Sequence, residues 1–336
     1  MQADPIRAPA RAEDLTLRHR VRNYRAGDLE RKYRTLDVEE GFFINYGFLP
    51  RRDYLRMHPR VSSEVTSRLR RRAAAIAAFV RARGTVHQRE IVARFDHGKT
   101  TNYWGRQSNA TTHLLGIMHY HSFLRVAHRE DGVRVYEIHQ SGGGVVDNDE
   151  RRSRVDALVD VVVRAYAPLP APSLAMVIAR LRYATPQWNA ELKPALARAK
   201  QRLGRARIDG TDWYWPPDER PELSIDREDD VRALSPFDPI VWDRRRFALL
   251  FGWEYRFEAY TPADRRKLGY YALPLLWRDD VVGWGNAALR DDTLAIEVGY
   301  VKRTPRDAGY RRELAAEAER LRETVGAARV TLTAIR

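Results

Sequence analysis

Apolar residues recur at helical spacing in the part of the chain between residues 63 and 140. Four of them fall at i, i+4, i+7 and i+11 on one predicted helical face: Leu69, Ala73, Ile76 and Val80. Gly84 is expected to end this helix, because glycine readily adopts the backbone conformation that follows a helix C-terminus. Thr85 and Gln88 have the spacing of a capping box, which predicts the start of a second helix with Ile91 turned inward.

The same segment continues with a third predicted helix and a β-hairpin. The apolar spacing in residues 108–117 predicts the helix. Strands are predicted at residues 124–127 and 133–138, joined by an Asp-Gly turn. Three helices followed by a hairpin are typical of a winged helix-turn-helix, so we predict one over residues 63–140.

A second segment repeats this pattern after a polar linker, which the glycines and acidic residues of 141–150 predict. Three apolar helical faces follow, and their residues are Val155, Leu158, Val159 and Val162, then Leu174, Val177, Ile178 and Leu181, then Leu192, Leu196, Ala199 and Leu203. A short hairpin is predicted over residues 205–215. We therefore predict another winged helix over residues 151–217.

The last part of the chain, residues 230–336, predicts mostly strands. Alternating or continuous apolar residues indicate strands at 255–259, 270–277, 281–289, 293–300 and 330–333. One helix is predicted before the last strand, with Leu314, Ala318, Leu321 and Val325 on one side. These elements predict a small β-barrel-like domain. The predicted fold class is α+β, with tandem winged helix-turn-helix domains followed by this domain.

Composition adds an argument from charge. The chain has 59 Lys and Arg against 45 Asp and Glu, a net charge of +14. This excess favours a polyanionic partner, with nucleic acid first and an anionic membrane well below it. No apolar run approaches the roughly 18 residues of a membrane span, and there is no signal-peptide core. With no cysteine in the chain, disulfides and thiolate metal sites are excluded, and we expect a cytoplasmic, nucleoid-associated protein.

The polar residues around the third predicted helix are candidates for DNA contact, because this helix reads DNA in a winged helix. They are Arg106, Gln107, Asn109, Thr112 and His113, with Arg134 on the predicted wing suited to phosphate. The alternative is that these residues only form the solvated polar face that most amphipathic helices have.

Motifs for cofactors and metals are missing from the sequence. We find no GxGxxG after a strand, no P-loop and no HExxH. The nine histidines are scattered without a matching carboxylate or cysteine set. We therefore expect no cofactor and no metal, and any catalysis is expected to depend on Asp, Glu and Gln.

Three stretches carry a resemblance to a known family: QADPIRAPARAEDL, NYWGRQSNATTHLL and LSPFDPIVWDRRR. The sequence resembles the winged-helix DNA glycosylases of the interstrand-crosslink repair family over nearly its whole length. Members of that family carry a Gln-x-Gln or a Gln-x-Asp pair, and Gln2 and Asp4 match the second form. The resemblance implies tandem winged helices that curve around double-stranded DNA. It also implies removal of bulky alkylated purines, including those in crosslinks.

The resemblance also implies roles for single residues. Cleavage of an N-glycosidic bond builds positive charge on the sugar, as in glycoside hydrolysis. Asp4 would stabilise that charge or take the proton of an attacking water, and Gln2 would position the water. Arg7 and His58, in the same opening block, are candidates for DNA contact. Because no lysine lies near the motif, we expect a monofunctional enzyme, and we expect a monomer.

The resemblance also assigns residues 1–62 to a first winged-helix domain. Family members have about one or two helices before the Gln-x-Asp motif, whereas here only Met1 precedes Gln2. We therefore expect this domain to be short at its N-terminus. Two alternatives to the enzyme stay open: a non-catalytic winged-helix regulator, and an inactive truncated member of the family.

Overall fold

The structure is a computed structural model of the 336-residue chain. It describes residues 1–60, 67–101, 105, 107–139, 146–220, 229–301 and 303–335. Contacts divide the chain into two compact units. Unit 1 combines Met1–Leu29, Val163–Leu174 and Leu203–Arg336, and unit 2 combines Glu30–Val162 and Ala175–Arg202. Each unit therefore combines segments that are distant in sequence. The predicted division into four consecutive domains stays a prediction.

The described residues form a mixed α+β structure. Its helices are α1 (Ala12–Leu17), α2 (Asp28–Lys32), α3 (Arg51–Arg56), α4 (Ser67–Arg83), α5 (Gln88–Arg94), α6 (Ala110–Tyr120), α7 (Asn148–Tyr166), α8 (Ala171–Arg180), α9 (Leu192–Arg202), α10 (Pro239–Trp242), α11 (Arg244–Phe251) and α12 (Ala308–Val325). Its strands are β1 (Val38–Phe42), β2 (Tyr46–Pro50), β3 (Thr85–His87), β4 (Lys99–Thr101), β5 (Gln107–Asn109), β6 (Leu124–Glu130), β7 (Val133–Ile138), β8 (Leu169–Pro170), β9 (Gly204–Ile208), β10 (Thr211–Trp215), β11 (Val231–Ala233), β12 (Leu273–Trp277), β13 (Asp280–Arg290), β14 (Thr293–Tyr300) and β15 (Arg329–Ala334).

In unit 2, three helices (α4, α5 and α6) share a core with a three-stranded sheet. The strand order is β3-β7-β6, and both strand pairs are antiparallel. The core residues are Ile76, Val80, Val86, Ile91, Leu114, Leu115, Met118, Leu124, Val126 and Tyr136. The three helices and the hairpin predicted between residues 63 and 140 are therefore present, with the third helix shifted a few residues toward the C-terminus.

The start of α5 differs from the sequence prediction. Thr85 does not cap this helix, because it belongs to β3 and lies opposite Glu137 of β7. The residue that caps α5 is His87, whose Nδ1 accepts the backbone N–H of Arg89 at 3.2 Å. Gly84, with a φ of +78°, lets the chain pass from α4 directly into the strand. Thr85 thus pairs with β7 in the sheet and does not form the predicted capping box.

In unit 1, five strands form one sheet in the order β11-β12-β13-β14-β15. All neighbours are antiparallel except β14 and β15, which are parallel. The sheet curls as half of a barrel, and α12 packs against both of its edge strands, β11 and β15. The core between them includes Val231, Leu273, Leu294, Val298, Tyr310, Leu314 and Leu321. Where β13 pairs with β14, a Cβ on Gly283 would lie 2.1 Å from the carbonyl oxygen of Gly299. Glycine is therefore needed at position 283 for these two strands to pair.

Two predictions for irregular or strand segments are wrong. Residues 255–259 form no strand, although Tyr255 and Ala259 are buried. Glu258 of this segment is buried, and its carboxylate accepts the backbone N–H groups of Lys267 and Leu268 at 2.8 and 2.7 Å. Residues 148–150, predicted as part of a linker, form the first turn of α7, where acidic side chains favour the positive end of the helix dipole. Residues 141–145 of that linker lie outside the described residues.

Replacing Leu15 with alanine tests the docking of α1 on unit 1. Leu15 is fully buried in the core shared with the sheet and α12. Removing its side chain leaves a cavity, so we expect a loss of about 2–5 kcal/mol in the free energy of unfolding. Urea unfolding measures this loss. The control is Leu249→Ala, since Leu249 is 58% exposed and its truncation should change stability by less than about 0.5 kcal/mol. Equal effects of the two substitutions would contradict the docking of α1.

Candidate active site

The opening segment of the chain packs on the core of unit 1. Ala10 and Leu15 are buried among the residues of the sheet and α12, and Ile6 and Ala8 pack against the same core. The segment that carries Gln2 and Asp4 is therefore anchored by apolar contacts that begin at Ile6. This packing places the Gln-x-Asp pair on the β-rich part of the molecule.

Charged residues that follow α1 fix the segment further. Arg18 forms an ion pair with Glu317 of α12, and both side chains are at most 4% exposed. Both groups also bind the backbone of Ala233: the Arg18 Nη2 donates to its carbonyl oxygen at 3.1 Å, and its N–H donates to Glu317 at 2.7 Å. Burial alone would raise the pKa of Glu317, but Arg18 and its other neighbours hold it below its ordinary value. Arg20 binds Asp238 through two hydrogen bonds of 2.7 and 2.9 Å.

Asp4 is a buried carboxylate with one strong backbone partner. Asp4 is 9% exposed, and its Oδ1 accepts the backbone N–H of Ile6 at 2.9 Å. Burial raises the pKa of Asp4 above its ordinary value, and the Ile6 N–H opposes this rise. A carboxylate in this state is a stronger base than a solvated aspartate.

Gln2 lies two residues before Asp4 and is partly buried. Its Oε1 is buried and has no hydrogen-bond partner among the described residues. A buried amide oxygen without a partner is costly, and such groups in folded proteins commonly face a ligand or an ordered water. Gln2 thus offers an acceptor close in sequence to the Asp4 carboxylate.

Three further residues that the sequence analysis did not single out are linked to Asp4 by electrostatics. Glu13 of α1 is 5% exposed, and burial raises its pKa to about 7, while the backbone N–H of Asp4 weakly opposes this rise. Burial raises the pKa of Tyr271, and the charges of Asp4 and Glu13 act in the same direction. Tyr260 is 79% exposed, and its pKa is raised by desolvation first and then by the charge of Asp4. The adjacent acids Glu13 and Asp14 in the opening block could have drawn attention to Glu13. Nothing local in the sequence marks either tyrosine.

The residues around the third helix that were predicted to contact DNA are largely exposed in unit 2. Thr112 and His113 are exposed on the first turn of α6. Asn109 caps this helix, with its Oδ1 accepting the N–H of Thr112 at 2.9 Å. Gln107 is exposed on β5 and donates to Thr101 Oγ1 at 3.1 Å. Arg106 lies outside the described residues. In unit 1, Arg7 is exposed three residues after Asp4.

Arg134 has internal partners in unit 2. Its Nε donates to Glu40 at 3.1 Å, and its guanidinium lies 4.8 Å from the centre of the Tyr46 ring. Arg129 binds the same carboxylate. Burial would raise the pKa of Glu40, but these arginines lower it to about 2. Arg134 therefore neutralises a buried acid, which is a structural role the sequence pattern did not reveal.

His58 is buried and faces protein groups. It is 4% exposed, and its Nδ1 lies 2.5 Å from Ser122 Oγ. Its ring packs on Tyr54 with a centroid distance of 4.4 Å. Burial, followed by the positive charge of Arg60 and nearby histidines, lowers the pKa of His58 to about 2. This geometry gives His58 a packing role in its unit.

Two properties of the described residues bear on metals and membranes. Their His, Asp and Glu side chains form no group of three or more that could hold a metal ion. No described helix is both long and apolar enough to cross a membrane.

Comparison with known proteins identifies the family. The family model described as "DNA glycosylase AlkZ-like" matches residues 1–324. The chain belongs to the AlkZ-like DNA glycosylase family. The solved structure of Streptomyces sahachiroi DNA glycosylase AlkZ is similar in fold, with a TM-score of 0.66 and 13% sequence identity over 99% of this chain and 91% of that chain. The sequence resemblance to the crosslink-repair glycosylases is thereby confirmed at the level of the family.

The buried histidines predict how stability depends on pH. The pKa values of His58 and His119 are lowered to about 2 and about 4, mainly by burial. As pH falls below about 6.5, the unfolded chain binds protons that the folded chain does not. We expect each histidine to reduce the free energy of unfolding by about 1.4 kcal/mol between pH 7.5 and 5.5.

Urea unfolding at the two pH values measures this dependence, with His58→Gln as the comparison. Glutamine keeps a hydrogen-bonding group near Ser122 but does not titrate. The loss of stability on acidification should be smaller in this variant by about 1.4 kcal/mol. An unchanged loss would mean that His58 titrates normally in the folded protein.

Proposed function

We propose that this AlkZ-like protein is a DNA repair glycosylase that hydrolyses the N-glycosidic bond of bulky alkylated purines, including purines in interstrand crosslinks. The observation that carries the proposal is the Gln-x-Asp pair, with a buried Asp4 carboxylate and a buried Gln2 oxygen that has no partner among the described residues. A base and a water-binding amide are the two groups that this hydrolysis needs.

In the proposed mechanism, water attacks C1′ of the damaged nucleotide while the bond to the purine nitrogen breaks. Gln2 Oε1 accepts a hydrogen bond from one O–H of the water and orients its oxygen. The Asp4 carboxylate accepts the proton of the other O–H as the new bond to C1′ forms, and its charge stabilises the positive charge that develops on the sugar. The electron pair of the broken bond leaves with the purine.

The leaving group determines which lesions suit this site. An N7-alkylpurine carries a positive charge, so it departs as a neutral base without a proton from a general acid. The mechanism then needs only a base and electrostatic stabilisation, and we expect a monofunctional enzyme without a covalent lysine intermediate. A crosslinked purine is tied to both strands and cannot swing out freely. We therefore expect the enzyme to act on a base that stays close to the duplex.

We assign DNA binding to the winged-helix regions. The order α4-β3-α5-β4-β5-α6-β6-β7, in which β4 and β5 form a separate two-stranded sheet and the main sheet has the order β3-β7-β6, supports a winged helix. On α6, the exposed side chains of Thr112 and His113 are the candidates for contact with DNA. The net charge of +14 supports a duplex as the partner. We propose that the protein acts as a monomer.

Asp4→Asn tests the catalytic role directly. The asparagine keeps the size of the side chain and an acceptor for the Ile6 N–H, but it cannot take a proton or supply charge. We expect the excision rate to fall by about 10²-fold or more, with unchanged DNA affinity. The measurement is single-turnover release from a duplex with one N7-alkylguanine and from a crosslinked duplex, read as alkali-labile sites. The control is Asp291→Asn, since Asp291 lies exposed in a turn.

The outcomes separate the alternatives. Equal excision by Asp4→Asn and the parent would remove Asp4 from the mechanism. No excision by the parent, together with tight binding to one DNA sequence, would favour a non-catalytic regulator. Binding without sequence preference and without excision would favour an inactive member of the family.

Arg7→Ala tests whether DNA lies near the Gln-x-Asp segment. If Arg7 binds a phosphate, its removal should lower the slope of log affinity against log salt by about 0.9. Titrations of a duplex at several salt concentrations measure the slope. Arg311→Ala removes an equally exposed charge from α12, where we propose no contact with DNA, and should leave the slope unchanged. Equal slopes for the parent and both variants would exclude a phosphate contact at Arg7.

A further inference from the structure

Tyr260 is the most exposed large hydrophobic side chain among the described residues, with 79% of its surface open to solvent. The next, Leu249, is 58% exposed. Within the described residues, the aromatic contact of the Tyr260 ring is an edge-on contact with Phe257, at 6.0 Å between ring centres. Exposure alone is common for single surface residues, whereas the turn that carries Tyr260 is fixed by several internal bonds.

The backbone around Tyr260 is held from both sides. The N–H of Thr261 donates to the carbonyl oxygen of Glu258 at 2.9 Å, which closes a turn with Tyr260 at its third position. The Glu258 carboxylate is buried and accepts the backbone N–H groups of Lys267 and Leu268 at 2.8 and 2.7 Å. The exposed ring therefore sits on a preorganised support, which reduces the entropy lost when a ligand binds to it.

Aromatic side chains of the unit 1 core support the Tyr260 ring. Phe257, which contacts Tyr260, also packs edge-on against Tyr271 at 5.3 Å between ring centres. A third edge-on contact joins Phe257 to Phe237 at 5.1 Å. Phe257 and Phe237 pack against the same core as Ile6, which follows the Gln-x-Asp pair. The turn and the opening segment of the chain thus rest on one core.

Tyr260 lies close enough to Asp4 for the two groups to interact. Desolvation, and then the negative charge of Asp4, raise the pKa of Tyr260. For Tyr271, burial is the largest cause, and the charge of Asp4 again raises the pKa. Because charge effects fall off with distance, both tyrosines lie near this carboxylate. The contacts of Phe257 with both rings agree with this placement.

Positive charge follows Tyr260 in the same segment. Arg265, Arg266 and Lys267 come within seven residues of it, with a single acid, Asp264, at 4.0 Å from Arg265. Arg265 and Lys267 are exposed. Cations suit the phosphates of a nucleic acid, and an exposed aromatic ring beside them suits a base. The ligand that fits this surface is therefore a nucleotide of DNA.

We propose that Tyr260 determines specificity: its ring stacks on the alkylated purine and recognises the positive charge of that base. This inference rests on the proposed glycosylase function and adds a residue to it. An N7-alkylguanine carries a positive charge on its ring system, whereas guanine is neutral. The electron-rich face of tyrosine attracts a cation, so the ring favours the lesion over the undamaged purine.

The exposure of the ring also suits a crosslinked substrate. A purine whose sugar lies at Asp4 has its base within reach of an aromatic side chain near that carboxylate. Because a crosslinked base is tied to both strands, it cannot enter a closed pocket. A ring presented on an exposed turn can stack on such a base without enclosing it. Tyr260 makes and breaks no bond, so its contribution is to binding and orientation of the lesion.

Binding to two non-cleavable duplexes tests this role. One contains N7-methylguanine, and the other contains its neutral isostere, 7-methyl-7-deazaguanine. Both nucleotides carry a 2′-fluoroarabino sugar, since fluorine at C2′ slows loss of the base. The measurement is the ratio of the two dissociation constants. Tyr260→Leu should reduce the preference for the cationic base by about threefold to thirtyfold.

Two aromatic variants distinguish the ring from a merely apolar or structural side chain. Tyr260→Phe should keep the preference, because it keeps the aromatic face. Tyr260→Trp should strengthen the preference, because indole binds cations best. Since Tyr260 is exposed, all three substitutions should leave the midpoint of urea unfolding unchanged.

Tyr270→Leu is the matched control. Tyr270 is 44% exposed in the same unit, but the guanidinium of Arg266 lies over its ring, 5.0 Å from the ring centre. A cation of the protein thus already occupies this ring. We expect Tyr270→Leu to keep the parent's preference for the cationic duplex.

Excision from a cleavable duplex with one N7-alkylguanine, measured in parallel, separates this inference from the proposed function. Excision by the parent, together with the same preference in the parent, Tyr260→Leu and Tyr260→Trp, would overturn this inference alone. An equal loss in Tyr260→Phe and Tyr260→Leu would also overturn it, because the hydroxyl and not the ring would then matter. Absence of excision by the parent would overturn the proposed function, while a preference lost only in Tyr260→Leu would still support recognition of the cationic base by the ring.

Discussion

The buried ion pair between Arg18 and Glu317 is the interaction on which the position of the candidate site depends. It joins the residues after α1 to α12, and both groups close on the backbone of Ala233 at the sheet edge. Removing either partner would leave an uncompensated buried charge, at a cost of about 3–5 kcal/mol. A second link joins Arg20, which lies shortly after the first stretch of family resemblance, to Asp238 within the stretch LSPFDPIVWDRRR. The opening segment is therefore fixed by the C-terminal part of the chain.

Burial acts differently on the carboxyl groups of this protein, depending on their partners. Arginines hold the pKa values of Glu317 and Glu40 below the ordinary value despite burial. Asp4 and Glu13 have backbone N–H groups in place of bound arginines, and burial raises their pKa values. The first pair stabilises the fold, whereas the second pair has the shifted proton affinity that is common at functional sites.

The sequence was sufficient for elements that depend on local periodicity. The helical faces around Ile76, Leu158 and Leu314 are all present, because a regular apolar stripe can be buried in only a few ways. The sequence was insufficient where a partner distant in sequence determines the conformation or the burial of a residue. Thr85 became a strand residue through pairing with β7, and Glu258 turned inward because two amides nine and ten residues later needed an acceptor. No local pattern encodes such partners.

The same distinction holds for the candidate site. Gln2 and Asp4 were found through a motif, and the motif alone says nothing of their burial. His58 and Arg134 had residue types that suit DNA contact, but tertiary structure commits them to Ser122 and Glu40. Residue type reports which bonds a side chain can make, and only the fold determines which of these bonds are already made.

Internal use of arginine also changes how the net charge should be interpreted. Arg60 is buried and donates to the carbonyl oxygens of Ala184 and Tyr120 at 2.7 and 3.0 Å, and burial lowers its pKa to about 10. Such arginines stabilise the fold and offer nothing to a phosphate. An internal ion pair, however, contributes zero to the net charge. The excess of +14 therefore belongs to cations that acidic partners do not neutralise, and exposed ones such as Arg7 are where an attraction for DNA must arise.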